Sequence, residues 1–299
     1  MPQNSPNHAP VSKPKSKRPM RSRFKPQITA GMQLQERDLQ LLTDLFLHRL
    51  MSRSQLERLY FTSASRCNVR LRQLFDHSLV SRYYLPLAPH GAQCLYSLGE
   101  AGILPVSRRL EWEIDEVKNQ TRRHKTPQFL EHTLAINETR LAFRDALADS
   151  PTWKLERWIP EIQCRHDYDI RGTGDAWQRE VFKPDGFVRV QHRWAHQKQD
   201  YFFEVDRGHT SSSKFAQKLD TYTRYLESGL FEQMFGAQSF HTLVITTGPL
   251  RLKNLRALVE GKGSRLFCFT TFDELEEQGA FAPIWRCPFE KDPLSLIAP

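Results

Sequence analysis

No apolar run in these 299 residues approaches the length needed to cross a bilayer, and the N-terminus lacks the apolar stretch of a signal peptide. Export and membrane insertion have no support, so a cytoplasmic location without a membrane partner is expected. Cysteine is scarce. The five (Cys67, Cys94, Cys164, Cys268 and Cys287) are odd in number, far apart and include no Cys-x-x-Cys pair, which points to free, mostly buried thiols in a reducing compartment. His192 and His196 have the spacing of two ligands on a helix, but they sit in a polar stretch that reads as a loop. There is no Gly-x-Ser-x-Gly motif, and Ser211-Ser212-Ser213 reads as a helix cap. Gly261-Lys262-Gly263-Ser264 lacks the glycine spacing of a phosphate loop and reads as a turn. No internal repeat is evident.

Acid is missing from the first thirty residues, which carry seven Lys or Arg and six prolines and account for about +7 of the formal charge of +9. So little apolar content cannot offset the entropy of ordering, and residues 1–30 read as a disordered basic arm. Such an arm suits phosphate backbones, though it equally suits a solubilising tail. The rest of the chain is nearly neutral. Hydrophobic content of 39% and charged content of 26% fit a globular protein, and the length suggests two domains.

Residues 31–104 give the first. Leu34, Leu39, Leu41, Leu42, Leu45 and Phe46 recur at helical spacing, Ser52 looks like the cap of a second helix, and a break at Phe61-Thr62-Ser63 starts a third running to about His77. The inward face of that third helix is Cys67, Leu71, Leu74 and Phe75. Arg66, Arg70, Gln73 and His77 then fall on one outward stripe, with Arg82 on the strand that follows. Two short strands around a Pro- and Gly-containing loop complete the order of a winged helix-turn-helix, whose third helix enters the major groove. Double-stranded DNA is the expected partner, with Arg66, Arg70, Gln73, His77 and Arg82 as candidate contacts. An amphipathic helix with an ordinary charged face is the alternative.

Residues 105–127 turn charged and aperiodic, which suggests a linker with a bridging helix. Residues 128–290 then alternate helix and strand in the order α, β, β, β, α, β, followed by another helix and strand, and 291–299 form a tail. This is a mixed-sheet α/β domain, making the whole chain α+β. Two acids lie in strand-like apolar runs: Asp185 in Pro184-Asp185-Gly186, within a strand expected over Glu180–Val190, and Glu204 in Phe202-Phe203-Glu204-Val205-Asp206. Carboxylates on neighbouring strands can hold Mg²⁺ or Mn²⁺ against a phosphodiester. Equally, Asp185 can open a turn and Glu204 can pair with a cation.

That order, with an acid after proline and a second acid on the next strand, resembles the PD-(D/E)xK, restriction-endonuclease-like fold. The resemblance implies Asp185 and Glu204 as the metal-ligating pair. Asp206 stands where the pattern has lysine, so Lys218 on the following helix is the candidate to supply the amine, with Asp206 as a further acid. Glu138, Glu156 and Glu161 are candidate additional ligands. Over Leu34 to Thr247 the chain resembles the replication-relaxation family of plasmids and other mobile elements. The likeness runs through His132-Thr133-Leu134-Ala135-Ile136-Asn137-Glu138, Pro184-Asp185-Gly186, and Phe203-Glu204-Val205-Asp206-Arg207-Gly208 followed by Lys214-Phe215-Ala216-Gln217-Lys218. It implies a role in DNA replication or relaxation, with plasmid replication or mobilisation proteins as partners. Two functions follow: metal-dependent nicking of DNA, or a non-enzymatic DNA-binding regulator on a nuclease-like scaffold. Trp153, Trp158, Trp177 and Trp194 are candidates for stacking on unpaired bases.

Overall fold

The structure is a computed structural model describing residues 25–26, 31–86, 92–122, 126–148, 150–171 and 177–297. Most of the basic arm and the tip of the expected wing, residues 87–91, lie outside the described residues. Helix α1 (Glu36–Leu47) begins where the Asp38 carboxylate accepts from the Gln35 amide at 2.8 Å, and it buries Leu41, Leu42, Leu45 and Phe46. Strand β1 (Met51–Ser52) leads into α2 (Arg53–Tyr60) through a reciprocal cap in which Ser52 and Gln55 satisfy each other's backbone amides. Ser63 caps α3 (Ala64–Asp76). Strands β2 (Val80–Pro86) and β3 (Ala92–Leu98) form an antiparallel hairpin that β1 joins in the order β1-β3-β2. The three helices close over this sheet around Leu42, Leu56, Cys67, Leu71 and Tyr96.

Gly99 lies where the hairpin's end crosses the turn after α3. A Cβ placed there would sit 2.2 Å from the Ser78 carbonyl oxygen, which is backbone and cannot swing aside. Gly99→Ala should therefore cost about 1–3 kcal/mol, read as a lower urea midpoint at unchanged slope. An unchanged midpoint would show that the turn yields freely.

Residues expected to be a linker are instead packed. Helices α4 (Ile103–Leu110) and α5 (Ile114–Thr121) bury Val106 and Val117 in the same core, and the Trp112 ring meets Phe46 edge-on at 5.4 Å. The expected bridging helix is thus two helices, with Leu110, Trp112 and Val117 on the core and Ile114 exposed.

Helix α6 (Pro127–Ala148) lies between this unit and a five-stranded mixed sheet. The sheet contains β4 (Trp153–Pro160), β7 (Gly186–His192), β8 (Lys198–Asp206), β9 (His241–Thr246) and β10 (Phe267–Thr271), after a separate hairpin of β5 (His166–Arg171) and β6 (Trp177–Phe182). Its order is β10-β9-β8-β7-β4, with β4, β7 and β8 antiparallel and β8, β9 and β10 parallel. The α/β class with a mixed sheet holds. Helices α7 (Ser212–Glu227), α8 (Leu230–Phe235) and α9 (Pro249–Gly261) pack on one face, while α6 and α10 (Phe272–Gln278) pack on the other.

The run from Glu180 to Val190 is two strands rather than one. The chain turns at Lys183–Asp185, and β6 leaves the main sheet to pair with β5. Phe182 closes that hairpin onto the core, stacking on Tyr225 at 3.8 Å and meeting Phe202 and Tyr222 edge-on. The cysteine reading also needs correction. Cys268 on β10 and Cys287 are joined in a disulfide, leaving Cys67, Cys94 and Cys164 free. Nineteen residues of sequence separation hid the proximity that the return of the C-terminal segment along β10 creates. Among the described residues no helix is long and apolar enough to cross a membrane.

The first unit grips α6 closely. Asn137 donates to the Leu50 carbonyl at 2.6 Å, Gln55 donates to Leu134 O and Glu138, Arg58 spans Glu138 and Asp145, and Arg140 donates to Asp44 at 2.9 Å. Tyr60 donates to Asp44 as well, at 2.7 Å, and His48 is buried beside this pair.

Candidate functional site

Alternation along β8 sorts its side chains between the two faces of the sheet. Tyr201, Phe203 and Val205 meet the α6 and α10 side, whereas Phe202, Glu204 and Asp206 turn toward α7 and α9. Asp185 precedes Gly186, the first residue of β7, and its own amide donates to the Phe203 carbonyl at 3.1 Å. Two residues further along β8, the Val205 amide has run past the end of β7. The Asp185 carboxylate takes it at 2.8 Å, extending the ladder with a side chain. Glycine at 186 suits this junction: a Cβ would come within 3.2 Å of the Phe203 ring and 3.3 Å of the Ile159 carbonyl.

Lys218 and Tyr222, one turn apart on α7, both reach Glu204. Asp185, Glu204 and Lys218 thus converge from a turn, a strand and a helix. Both carboxylates are almost buried, at 9% and 4% exposure, while about a third of the Lys218 side chain remains open to solvent. Burial and the neighbouring Asp185 charge raise the Glu204 pKa to about 7 against the pull of Lys218 and Tyr222. Burial also works against ionised Asp185, yet the His132 bond, the Lys218 charge and the Val205 amide outweigh it and hold that carboxyl below its usual range. Lys218 is itself desolvated, but the two acids keep its pKa raised. Two acids thus face Lys218 and His132, and burial is what weighs most on Glu204.

Asp206, on the same face, does not join them. Its carboxylate accepts from Arg251 at 2.8 and 3.1 Å and from the Thr246 hydroxyl at 2.9 Å, which satisfies it as a structural ion pair between β8 and α9. Arg207 leaves the strand toward Glu131, at 2.9 Å. The other candidate ligands are also engaged elsewhere: Glu138 with Arg58 and Gln55, Glu156 with Lys198, and Glu161 with Arg49 and Lys183. A cavity of about 760 Å³ runs between α2, α6 and α10, bordered by Arg58, Glu131, Arg207 and Phe272; neither Asp185 nor Glu204 lines it.

Among the described residues no three His, Cys, Asp or Glu side chains are grouped to hold a metal ion. Magnesium needs fewer, since it commonly takes one or two carboxylates and completes its shell with water and phosphate. Asp185 and Glu204 fit that demand. Each of their oxygens accepts one hydrogen bond and keeps a second lone pair.

The α3 stripe departs further from expectation. Asp38 is fully buried, and a buried carboxylate needs a partner. Arg70 supplies it, donating Nε to Asp38 Oδ1 at 2.9 Å and also reaching Gln33 O and the Gln73 side chain at 3.0 Å. His77 bonds the Gln73 carbonyl at 2.9 Å as the helix ends. Arg82 lies over the Phe75 ring, 4.3 Å from its centroid. Only Arg66 of the five DNA-contact candidates is exposed, and it shares its face with Ser65, Asn68 and Val69. At about 100° per residue, Arg70 lies roughly 85° from the centre of the Cys67-Leu71-Leu74-Phe75 stripe, whereas Val69 lies nearly opposite it. That rotation was available in the sequence. Of the four tryptophans considered for stacking, Trp153 is buried, whereas Trp177 and Trp194 are 69% and 84% exposed. His192 meets Trp153 edge-on and its ring nitrogen accepts from the Trp194 and Ala195 amides in the loop after β7.

Comparison with known protein families matches residues 42–238 to replication-relaxation proteins. No curated protein matches the chain.

Proposed function

This chain belongs to the replication-relaxation family, whose members serve the replication or relaxation of mobile elements, and from that premise we propose a DNA-binding protein that nicks a phosphodiester with a divalent metal. In this reading α1 to α3 and the β2–β3 hairpin are a winged helix-turn-helix, and α3 offers Ser65, Arg66, Asn68 and Val69 to the groove. The five-stranded unit is a PD-(D/E)xK-like domain. One observation carries the reading: Asp185, Glu204 and Lys218 meet at one place, with Lys218 supplying from α7 the amine that Asp206 cannot.

Asp185 and Glu204 would hold Mg²⁺ or Mn²⁺, which would supply charge neutralisation at a phosphoryl group. The Val205 amide holds one Asp185 oxygen, Oδ2, in place for this. Tyr222, itself buried, keeps water from one side of Glu204. The Lys218 ammonium faces both acids, and its exposed portion is available to the charge that develops on a phosphate. Plasmid replication or mobilisation proteins are the partners this role calls for.

Supercoiled plasmid incubated with the full chain should become open circles with Mg²⁺ or Mn²⁺ and stay supercoiled with EDTA. A second reading has its own observation, since all four oxygens of the acid pair already accept hydrogen bonds. In that reading the acids are structural and the family role is performed by binding. Duplex binding in a gel shift, without open circles under any metal, would establish it and overturn nicking.

A further inference from the structure

Resting on the nicking reading, we propose that His132 is the positioning residue of this site, fixing the plane of the Asp185 carboxylate so that it can accept a divalent ion. The Val205 amide pins Oδ2 at 2.8 Å, but one pinned oxygen leaves the carboxylate free to rotate about that contact. His132 Nε2 lies 3.2 Å from Oδ1 and removes this freedom. An ionised carboxylate only accepts, so Nε2 carries the proton in this contact.

His132 projects from the second turn of α6, a helix that is itself held at the Leu134 carbonyl and at Asn137 by the first unit. The imidazole therefore sits on a rigid support. Its neighbours cannot replace it: the Thr133 hydroxyl donates to the Phe129 carbonyl, and Glu131 pairs with Arg207. About a third of the His132 side chain is exposed, so the ring stands at the solvent-facing edge of the acid pair. Hydrogen-bond partners of metal-holding carboxylates commonly govern affinity by 10–100-fold.

Titration of the full-length protein with Mn²⁺, following the electron paramagnetic signal of the free ion, tests this without relying on turnover. His132→Ala should weaken Mn²⁺ binding by about 10–100-fold, while His132→Gln, which retains an N–H donor, should stay within about threefold of wild type. In plasmid nicking, His132→Ala should raise the Mn²⁺ concentration giving half-maximal rate by the same factor. Thermal melting of each variant separates loss of fold from loss of orientation. Wild-type Mn²⁺ affinity in a folded His132→Ala protein overturns the role of His132 and leaves the nicking reading standing. If wild type itself binds no Mn²⁺, the metal reading falls and this role with it.

Discussion

Asp185→Asn is expected to lower open-circle formation by about 10³-fold or more while leaving the protein folded. Asparagine matches aspartate in size and keeps a carbonyl oxygen for the Val205 amide, so the junction between β7 and β8 stays closed. What disappears is one of two negative charges that the fold has gathered in a place with little water. Lys218→Met makes a contrasting pair. Without its ammonium, Glu204 loses the charge that holds its pKa near 7 and becomes largely neutral at neutral pH. Nicking should then fall by about 10²–10³-fold at neutral pH and recover partly as the pH is raised. Plasmid relaxation across pH for wild type, Asp185→Asn and Lys218→Met checks both expectations. Wild-type rates in Asp185→Asn would remove the acid from the chemistry.

The second large effect is on stability in acid. His48 is buried against Asp44 and Arg140; burial and then the Arg140 charge depress its pKa from 6.5 to about 3, with Asp44 opposing. The sign follows from linkage. The unfolded chain takes up a proton near pH 6.5 and the folded one does not, so stability is full above 6.5 and falls as the pH drops toward 3. The interval corresponds to roughly 4–5 kcal/mol, comparable with the whole stability of many domains. Asp44 acts in the same direction only at lower pH. Burial opposes its ionised form, but His48, Arg140 and the Tyr60 hydroxyl more than compensate and lower its pKa. Urea midpoints measured from pH 7 to pH 4 should fall steeply for wild type, and His48→Phe should remove most of that fall between pH 6.5 and 4. Equal slopes in the two proteins would show that His48 is protonated in the folded state.

Much of the architecture was legible because periodicity speaks for single elements. Leu41, Leu42 and Leu45 announce α1, Ser52 and Gln55 announce the start of α2, and Phe215, Leu219 and Tyr222 announce the inward face of α7. Asp185, Glu204 and Lys218 were legible as well, as two acids in apolar surroundings and a lysine on the following helix, although Asp185 lies in the turn before β7 rather than in a strand. The errors concern relations between elements. Nothing in Arg70 itself shows that Asp38, thirty-two residues earlier, will be buried and claim it. The likeness offers Asp206 as a further acid beside Glu204, whereas Arg251 on α9 decides where its charge is met. Val181 and Phe182 read as a continuation into β7 because both runs are apolar, and only the pairing of β6 with β5 separates them. Nothing in the sequence around His132 shows its contact with Asp185, because the two lie fifty-three residues apart.

Helix α6 is bolted on one flank to the unit that carries α3 and on the other touches the acid pair through His132. Among the described residues α6 touches both directly, so under the nicking reading the molecule would act as a ruler rather than as a pair of jaws. A duplex seated on α3 would meet Asp185 and Glu204 at a constant number of base pairs from the sequence being read. Breaks mapped on end-labelled DNA should fall at one offset from the protected footprint, and moving the bound sequence should move the break by the same distance.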